Sequence, residues 1–346
     1  MADSERGKTP IGDLGKFGLI DHLTKKSKPV NKTTILGIGD DSAIIDNGKL
    51  LTIVSTDLLL EGIHFNLTYT PLKHLGYKAV IRGISDIYAM NGKPDQIFIS
   101  MGISTRFTVE QLEELYEGIY LACEKYGTDL AGGDTTSSLT GMTIGVTTVG
   151  TVEKKKVVKR DGAGQNDLIC VTGDFGASFM GLQLLERERR IFQTNKSIQP
   201  DLSGYEYVVA RQLKPEFPAK VLMDLSSQGV QPTSMIDVSD GLASDLLHIC
   251  QSSKAGCRIY SEKIPIDQET FRLAEEFHMD PLTAALNGGE DYELLFTVPL
   301  EMFEKLKLIP SVKIIGHMTS PEAGEKLITL DGSETDLTAQ GWAKNE

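Results

Sequence analysis

The sequence is short of cysteine, tryptophan and positive charge, and each shortage excludes a class of protein. The 346 residues contain four cysteines, none in a CxxC pair, and one tryptophan. A chain of this length can bury a core without disulfides, so we expect free thiols and a cytoplasmic, reducing environment. The formal net charge of −13 argues against nucleic acid and anionic membranes as partners, because their binding surfaces need basic patches.

Long apolar runs and common nucleotide-binding signatures are also missing. No uninterrupted apolar segment reaches the ~20 residues of a membrane span, and the start, MADSERGKTP, lacks the basic-then-apolar pattern of a signal peptide. There is no G-x-x-x-x-G-K-[ST] motif, and the triplet Asp174-Phe175-Gly176 has no H-R-D-type loop to accompany it. The sequence therefore predicts a soluble protein that is neither a P-loop enzyme nor a protein kinase.

Strand-like and helix-like segments are mixed along the chain, which predicts an α/β or α+β fold. β-branched runs predict strands at 49–55, 95–103, 142–152, 167–173, 234–239, 257–262, 292–298 and 312–318. Apolar residues at three- and four-residue steps predict helices near 10–25, 72–90, 112–122 and 242–250. The charged, glycine-bearing segment 153–167 predicts a domain boundary. The chain then divides into a lead-in (1–29), an N-terminal domain (30–152) and a C-terminal domain (153–346).

Carboxylates beside small hydroxyl residues or glycines recur at the ends of apolar segments. Singly, each cluster is also typical of a helix cap or a turn, most of all VSDGLASDLL. Asp86 is different, because a lone carboxylate inside an apolar periodic helix is costly unless it is paired or bound to a metal. The clusters hold Asp40 and Asp41 in GIGDDSAII, Ser55-Thr56-Asp57, Ser85-Asp86, Gly132-Gly133-Asp134, Asp237-Val238-Ser239-Asp240 and Gly288-Gly289-Glu290-Asp291.

These clusters have few basic neighbours in the sequence. Between residues 33 and 65 the only Lys or Arg is Lys49. We therefore expect divalent cations to supply positive charge, and oxygen ligands suit Mg²⁺ or Mn²⁺ rather than Zn²⁺. Since Mg²⁺ commonly completes its shell with substrate phosphates, the pattern indicates a phosphate-rich ligand. The glycines of LAGGDTT would let the backbone approach such a ligand closely.

Seven segments, in order, resemble the thiamine-monophosphate kinase family. They include GIGDDSAII, STDLLLEGIHF, GYKAVIRGISDIYAMNGKP, LAGGDTT, IDVSDGLASDLLHI and NGGEDYELLFTV, and the match runs from about residue 10 to Trp342. The resemblance implies a two-domain synthetase-like fold. Its N-terminal mixed sheet forms a barrel across a homodimer, and its C-terminal domain is an α/β sandwich. It also implies ATP between the domains under several Mg²⁺ ions, and transfer of phosphate from ATP to thiamine monophosphate.

The resemblance also assigns site residues. It implies catalytic roles for Asp57, Asp86 and Asp240, and ATP contacts for Gly133, Asp134, Arg160 and Ser239. Metal ligands would be Asp41, Ser55, Thr56, Asp57, Asp86, Asp134, Asp237 and Asp240, while His64, Glu290 and Trp342 would contact thiamine monophosphate. Asp40 could be a metal ligand or could only shape the turn, and the sequence leaves both roles open. Without the resemblance, His64 is more typical of a packed core histidine. Arg160 is equally consistent with a solvated linker charge, and Trp342 with a residue that pins the tail.

A direct transfer suits the chemistry, because a phosphate monoester with a second pKa of ~6 is already largely a dianion at neutral pH and needs no general base. We expect no phosphoenzyme. Two alternatives remain: another ATP-dependent synthetase of the wider superfamily, and a non-catalytic Mg-nucleotide-binding regulator. A selenophosphate synthetase would need an early reactive Cys, whereas the first here is Cys123. The hydrogenase-maturation type would end in a cysteine, whereas this chain ends in GWAKNE.

Overall fold

The protein is built on two sheets, with one helix packed between them. The computed structural model describes residues 15–27, 30–197 and 199–339. The first sheet has strand order β1-β2-β3-β6-β4-β5 and is antiparallel except for the β4–β5 pair. Its strands are β1 (Thr34–Leu36), β2 (Ala43–Asp46), β3 (Leu50–Leu60), β4 (Lys93–Ile103), β5 (Asp129–Ser137) and β6 (Thr143–Glu153), and its helices are α1 (Gly15–Thr24), α2 (Leu72–Ala89) and α3 (Val109–Tyr126).

The second sheet has strand order β13-β12-β9-β11-β7-β10-β8 and is antiparallel except for the β9–β12 pair. Strands β7, β10 and β8, at one end of this sheet, are buried along their whole length, as expected for strands covered on both faces. The strands are β7 (Leu168–Thr172), β8 (Ser234–Val238), β9 (Gly256–Tyr260), β10 (Glu293–Val298), β11 (Val312–Thr319), β12 (Glu325–Ile328) and β13 (Glu334–Asp336). The helices are α4 (Ala177–Thr194), α5 (Glu206–Leu213), α6 (Lys220–Ser227), α7 (Leu242–Ser253), α8 (Gln268–Glu276), α9 (Pro281–Asn287) and α10 (Phe303–Leu306).

Helix α2 is the element shared by the two halves. It follows Pro71, which is extended, and its apolar residues join one core with both sheets, as Ile84, Val146 and Leu294 illustrate. Glycines let α3 pack close to it: a Cβ on Gly76 would lie 2.0 Å from the backbone oxygen of Leu115. The polar residues that α2 carries are therefore held between the sheets by tight packing on several sides.

The fold class is confirmed, and each of the eight predicted strands is present. One detail of the prediction is wrong: β3 does not end at Ser55-Thr56-Asp57 but continues to Leu60, because its pairing with β6 extends as far as Leu60 and Thr143. The sequence also missed β5, a glycine-rich polar strand at the sheet edge whose residues are nearly all exposed. No described helix is long and apolar enough to cross a membrane.

Candidate active site

Three aspartates from distant segments converge where the two sheets meet. Asp41 lies in the loop between β1 and β2, Asp86 in the last turns of α2, and Asp237 near the end of β8. Each offers one carboxylate oxygen, and the three oxygens lie within 4.8 Å of one another. Asp41 and Asp237 are buried, and the hydroxyl of Ser85 donates to Asp237 at 2.8 Å. The fold thus concentrates like charge at one buried point.

Asp57 enlarges this group, because after burial its charge is the largest influence that raises the pKa of Asp86. Burial raises the pKa values of all four aspartates, that of Asp237 to about 6. For Asp86, the neighbouring carboxylates Asp57, Asp237 and Asp41 add to the effect of burial. We call these four residues the carboxylate cluster: Asp41, Asp57, Asp86 and Asp237.

Positive charge compensates only part of the carboxylate cluster. The Arg160 guanidinium pairs with Asp41, and Nε of Arg82 donates to Asp57 at 3.1 Å. Four carboxylates and two guanidinium groups leave a formal charge of −2 when all are ionised. One buried oxygen of Asp41 and one of Asp57 have no hydrogen-bond partner among the described residues. Hard oxygen donors, a charge deficit and orphaned buried oxygens together fit a divalent cation.

Asp40 serves the loop that presents Asp41. One of its oxygens accepts from the Asp41 backbone amide at 2.9 Å, and the other accepts from the Arg160 amide at 3.1 Å. Both carboxylate oxygens are therefore directed at backbone groups. Arg160, with a side chain only 19% exposed, is an ion-paired residue of the site and not a solvated linker charge.

A second group of charged residues lies beside the cluster and is internally compensated. Glu290 bonds the Lys78 ammonium at 2.7 Å and lies 3.6 Å from Nη1 of Arg82. Lys78 also donates to the Gln212 carbonyl at 2.9 Å, and its side chain is 3% exposed. Burial alone would raise the pKa of Glu290, but Lys78 and Arg82 hold it below its ordinary value. Glu290 is therefore a carboxylate at neutral pH.

His64 is close enough to this charged group to be affected by it. Burial lowers its pKa, and Arg82 lowers it further, so the ring is neutral at pH 7. Its Nδ1 accepts from the Leu60 amide at 3.1 Å. The neutral ring therefore carries its proton on Nε2 and can donate only from there. We call His64, Lys78, Arg82 and Glu290 the compensated group.

The loop that carries Glu290 is strained and fastened to β8. Glu290 and Tyr292 have φ angles of 56° and 52°, which non-glycine residues rarely adopt. The Glu290 amide donates to the Ser239 carbonyl at 2.8 Å, and the Tyr292 amide donates to that of Val238 at 2.9 Å. These bonds hold the left-handed residues in place. Ser239, predicted to contact ATP, uses its backbone to position Glu290.

Other predicted site residues lie elsewhere. Ser55 shares the α2-facing side of β3 with Asp57 and donates to the Gly83 carbonyl at 3.3 Å, whereas the Thr56 side chain points to the opposite face and bonds Thr147. Asp134 and Gly133 lie on edge strand β5, and Asp134 is exposed. Since β5 is three strands from β3, Asp134 is roughly 14 Å along the sheet from Asp57. Within one chain the fold does not bring it to the cluster.

Asp240 does not share the point where Asp41, Asp86 and Asp237 converge, although its charge raises the pKa of Asp237, and it is not a helix cap. Its carboxylate binds the Lys16 ammonium at 2.6 Å. The amides of Ser239, Asp240 and Gly241 instead donate to Asp245, which reaches back from the first turn of α7. Trp342 lies outside the described residues.

The acidic clusters have few basic neighbours in the sequence, but the fold brings cationic side chains to several of them. Asp41, Asp57, Asp240 and Glu290 each have a cationic partner, supplied by a segment remote in sequence. Lys78 and Arg82 were missed although they occupy the same α2 face as Asp86, at steps of four residues. The signal that singled out Asp86, a charge within an apolar helix, applies to them equally.

Comparisons with known proteins identify the relatives of this chain. A family model described as AIR synthase related protein, N-terminal domain, matches residues 39–152. Thiamine-monophosphate kinase of Buchnera aphidicola subsp. Schizaphis graminum (strain Sg) is 36% identical over 327 residues, 91% of this chain and 94% of the relative. The chain belongs to the thiamine-monophosphate kinase family. The family member of Bacillus subtilis (strain 168) is 32% identical and covers 95% of this chain and 99% of its own length.

A solved structure of the family matches the whole fold. The structure described as AaThiL complexed with AMPPCP and TMP superposes with a TM-score of 0.81 at 31% identity, over 97% of this chain and 98% of that one. That protein was therefore captured with a nucleotide analogue and a monophosphate together.

Proposed function

We propose that this protein transfers the terminal phosphate of ATP to thiamine monophosphate and releases ADP and thiamine diphosphate. Membership of the thiamine-monophosphate kinase family supports the reaction, and so does the likeness to a structure that holds both ligand types. The observation in this chain that carries the proposal is the pairing of two unlike regions. A carboxylate cluster suited to a cation-bound polyphosphate lies beside a compensated group that can receive the acceptor.

Magnesium is the cation we propose, with Asp41, Asp57, Asp86 and Asp237 as the residues that would hold it. When bound, Mg²⁺ would supply the positive charge that offsets the repulsion between ATP and a dianionic acceptor. The chain itself supplies orientation. Arg160 holds the Asp41 side chain, Ser85 holds that of Asp237, and the packing of α2 fixes Asp86.

The compensated group supplies recognition of the thiamine part. Glu290 is ionised and can accept hydrogen bonds from the aminopyrimidine or face the cationic ring, while His64 can donate from Nε2. Since the acceptor phosphate is largely a dianion at neutral pH, no general base is required. This agrees with a site in which His64 is neutral and anchored through Nδ1. Trp342 as a further contact stays a prediction.

We also propose a homodimer in which the first sheets of two copies pair and complete the nucleotide site. The exposed edge strand β5 carries Gly133 and Asp134, which one chain leaves far from the carboxylate cluster. Apolar side chains at Leu58, Leu60 and Ile63 are exposed nearby on the first domain, and a partner sheet would cover them. The domain division at 153–167 and a cytoplasmic location likewise remain predictions.

Turnover with defined substrates tests the function. The purified protein is incubated with Mg-ATP and thiamine monophosphate, and thiamine diphosphate and ADP are quantified in equal amounts. Asp331→Asn serves as a control, because Asp331 bonds Thr329 and Ser333 of the β12–β13 turn and no other residue in the described part of the chain. Absence of product across a range of Mg²⁺ concentrations would reject the proposal, and ATP cleavage dependent on another acceptor would favour a different synthetase.

A further inference from the structure

Helix α2 presents one polar stripe that joins the two regions of the site. Lys78, Arg82 and Asp86 follow one another at four-residue steps, so their side chains lie along one face. Lys78 faces Glu290, Asp86 faces the carboxylate cluster, and Arg82 lies between them. One helical turn, a rise of about 6 Å, separates Arg82 from Asp86.

Arg82 has donors to spare. Its Nε donates to Asp57 at 3.1 Å, and its Nη1 lies 3.6 Å from Glu290, which is an ion-pair distance beyond a good hydrogen bond. A guanidinium carries five N–H donors, and within the described ranges only Nε donates a hydrogen bond. Its side chain is 19% exposed, so the remaining N–H groups are accessible to a ligand.

The other cations of the site are already used. Lys78 is almost fully buried and bonds Glu290 and the Gln212 carbonyl, Arg160 is paired with Asp41, and Lys16 binds Asp240. Arg160 is as exposed as Arg82 but directs two of its nitrogens at Asp41. Of these four cations, Arg82 is the one that lies against both regions, with Asp57 on one side and Glu290 on the other. A guanidinium offers a planar fork that matches two phosphate oxygens.

We infer that Arg82 binds the phosphate of the acceptor, and thereby selects thiamine monophosphate over unphosphorylated thiamine. The inference rests on the proposed function. Arg82 holds the acceptor phosphate one helical turn from Asp86, which places its oxygens next to the carboxylate cluster. Asp57 compensates the guanidinium in the free protein, so the side chain is oriented before the ligand arrives.

Binding measurements test this assignment. Calorimetry with thiamine monophosphate and with thiamine, each in the presence of Mg²⁺ and AMPPCP, compares wild type with Arg82→Gln and Arg82→Lys. Loss of a charge-assisted contact lowers affinity about 10- to 100-fold. We expect Arg82→Gln to lose this much for thiamine monophosphate and less than about twofold for thiamine. Arg82→Lys should fall between, because an ammonium keeps the charge but not the fork.

Lys73→Gln is the matched control, since Lys73 is an exposed α2 residue paired with Glu117 away from the site. Equal loss for both ligands, or no loss for either, overturns the inference and assigns Arg82 a structural role. If Arg82→Gln fails to fold because Asp57 is left unpaired, Arg82→Lys decides alone. In Arg82→Lys, the affinity for thiamine monophosphate divided by the affinity for thiamine must be at least about threefold lower than in wild type. Wild-type protein that forms no thiamine diphosphate rejects the proposed function; normal turnover with an unchanged ratio in Arg82→Gln rejects this inference only.

Discussion

The carboxylate cluster and the compensated group are neighbours built on opposite electrostatic principles. In the cluster, four aspartates face two guanidinium groups, burial raises their pKa values, and oxygens are left without partners. In the compensated group, Glu290 has two cations against it, and its pKa is lowered. The carboxylate cluster lacks positive charge, which a bound cation would supply. The second is already ordered to receive an organic ligand.

The carboxylate cluster and the compensated group do not differ in how exposed their charged side chains are. Both regions are largely buried, and both combine residues of α2 with a residue from the second half of the chain, Asp237 on β8 or Glu290 in the loop before β10. What differs is the balance of charge: the carboxylate cluster keeps an excess of negative charge, whereas Glu290 has cations against it. Substitutions that remove this difference should therefore lower activity, and the largest loss is expected at Asp86.

Asp86→Asn should abolish turnover. The substitution removes one carboxylate from the convergence point while keeping the side chain's size, and we expect kcat to fall more than about 1,000-fold because transition-state charge loses its counter-ion. The fold should survive, since like-charge repulsion at the site decreases. Circular dichroism melts and steady-state kinetics measure both effects, with Asp331→Asn as the control. A variant with near-normal kcat would contradict a cation-dependent mechanism.

Lys78→Met should deprive Glu290 of its closer cationic partner. Glu290 would keep only the more distant Arg82, its pKa should rise toward the ordinary range, and ligand recognition should suffer. We expect the KM for thiamine monophosphate to rise about tenfold with a smaller change for ATP, and the free energy of unfolding to fall by about 2 kcal/mol.

The double variant Lys78→Met/Glu290→Gln separates charge from packing in this region. It should recover part of the lost stability, because the buried carboxylate is no longer left short of a partner. Denaturant unfolding of the four proteins of this cycle gives the coupling. Additive losses would show that Lys78 acts through its aliphatic packing and not through Glu290.

Metal-free protein should lose stability as pH rises. The pKa of Asp237 is raised to about 6, and that of Asp86 is raised well above its ordinary value. Between pH 4 and pH 6 the folded state thus holds protons that the unfolded state has released. Stability contributed by such groups is present below the unfolded pKa and is lost as pH rises through the folded pKa. For Asp237, the difference between a pKa of about 6 and its ordinary value of 3.8 corresponds to roughly 3 kcal/mol.

Melting temperatures in EDTA from pH 4 to pH 8 measure this slope for wild type and Asp237→Asn. The wild type should fall more steeply, and added Mg²⁺ should stabilise it most at the upper end of the range. If the difference in melting temperature between the two proteins does not change with pH, the cluster does not retain protons in the folded state.

Much of the fold could be predicted from local pattern, and some of the site could not. A β-branched run located β3, and three- and four-residue steps located α2, because both signals depend on near neighbours. β5 was missed because its glycines and polar residues look like a loop, and only pairing with β4 makes it a strand. Asp86 was recognisable as a charge in an apolar helix. Lys78 and Arg82 are also charges in this apolar helix, but they were not predicted as site residues.

By itself, the sequence determined the acidic motifs, their order, the α/β class and the family resemblance. Only the tertiary structure decided which charges meet. It separated Asp41, whose carboxylate joins the cluster, from Asp40, whose oxygens bind backbone amides. It also supplied Arg82, Arg160 and Lys16 as counter-ions from remote segments. The physical reason is that electrostatic energy depends on distance in space, and chain neighbours report little of that distance once sheets and helices have packed.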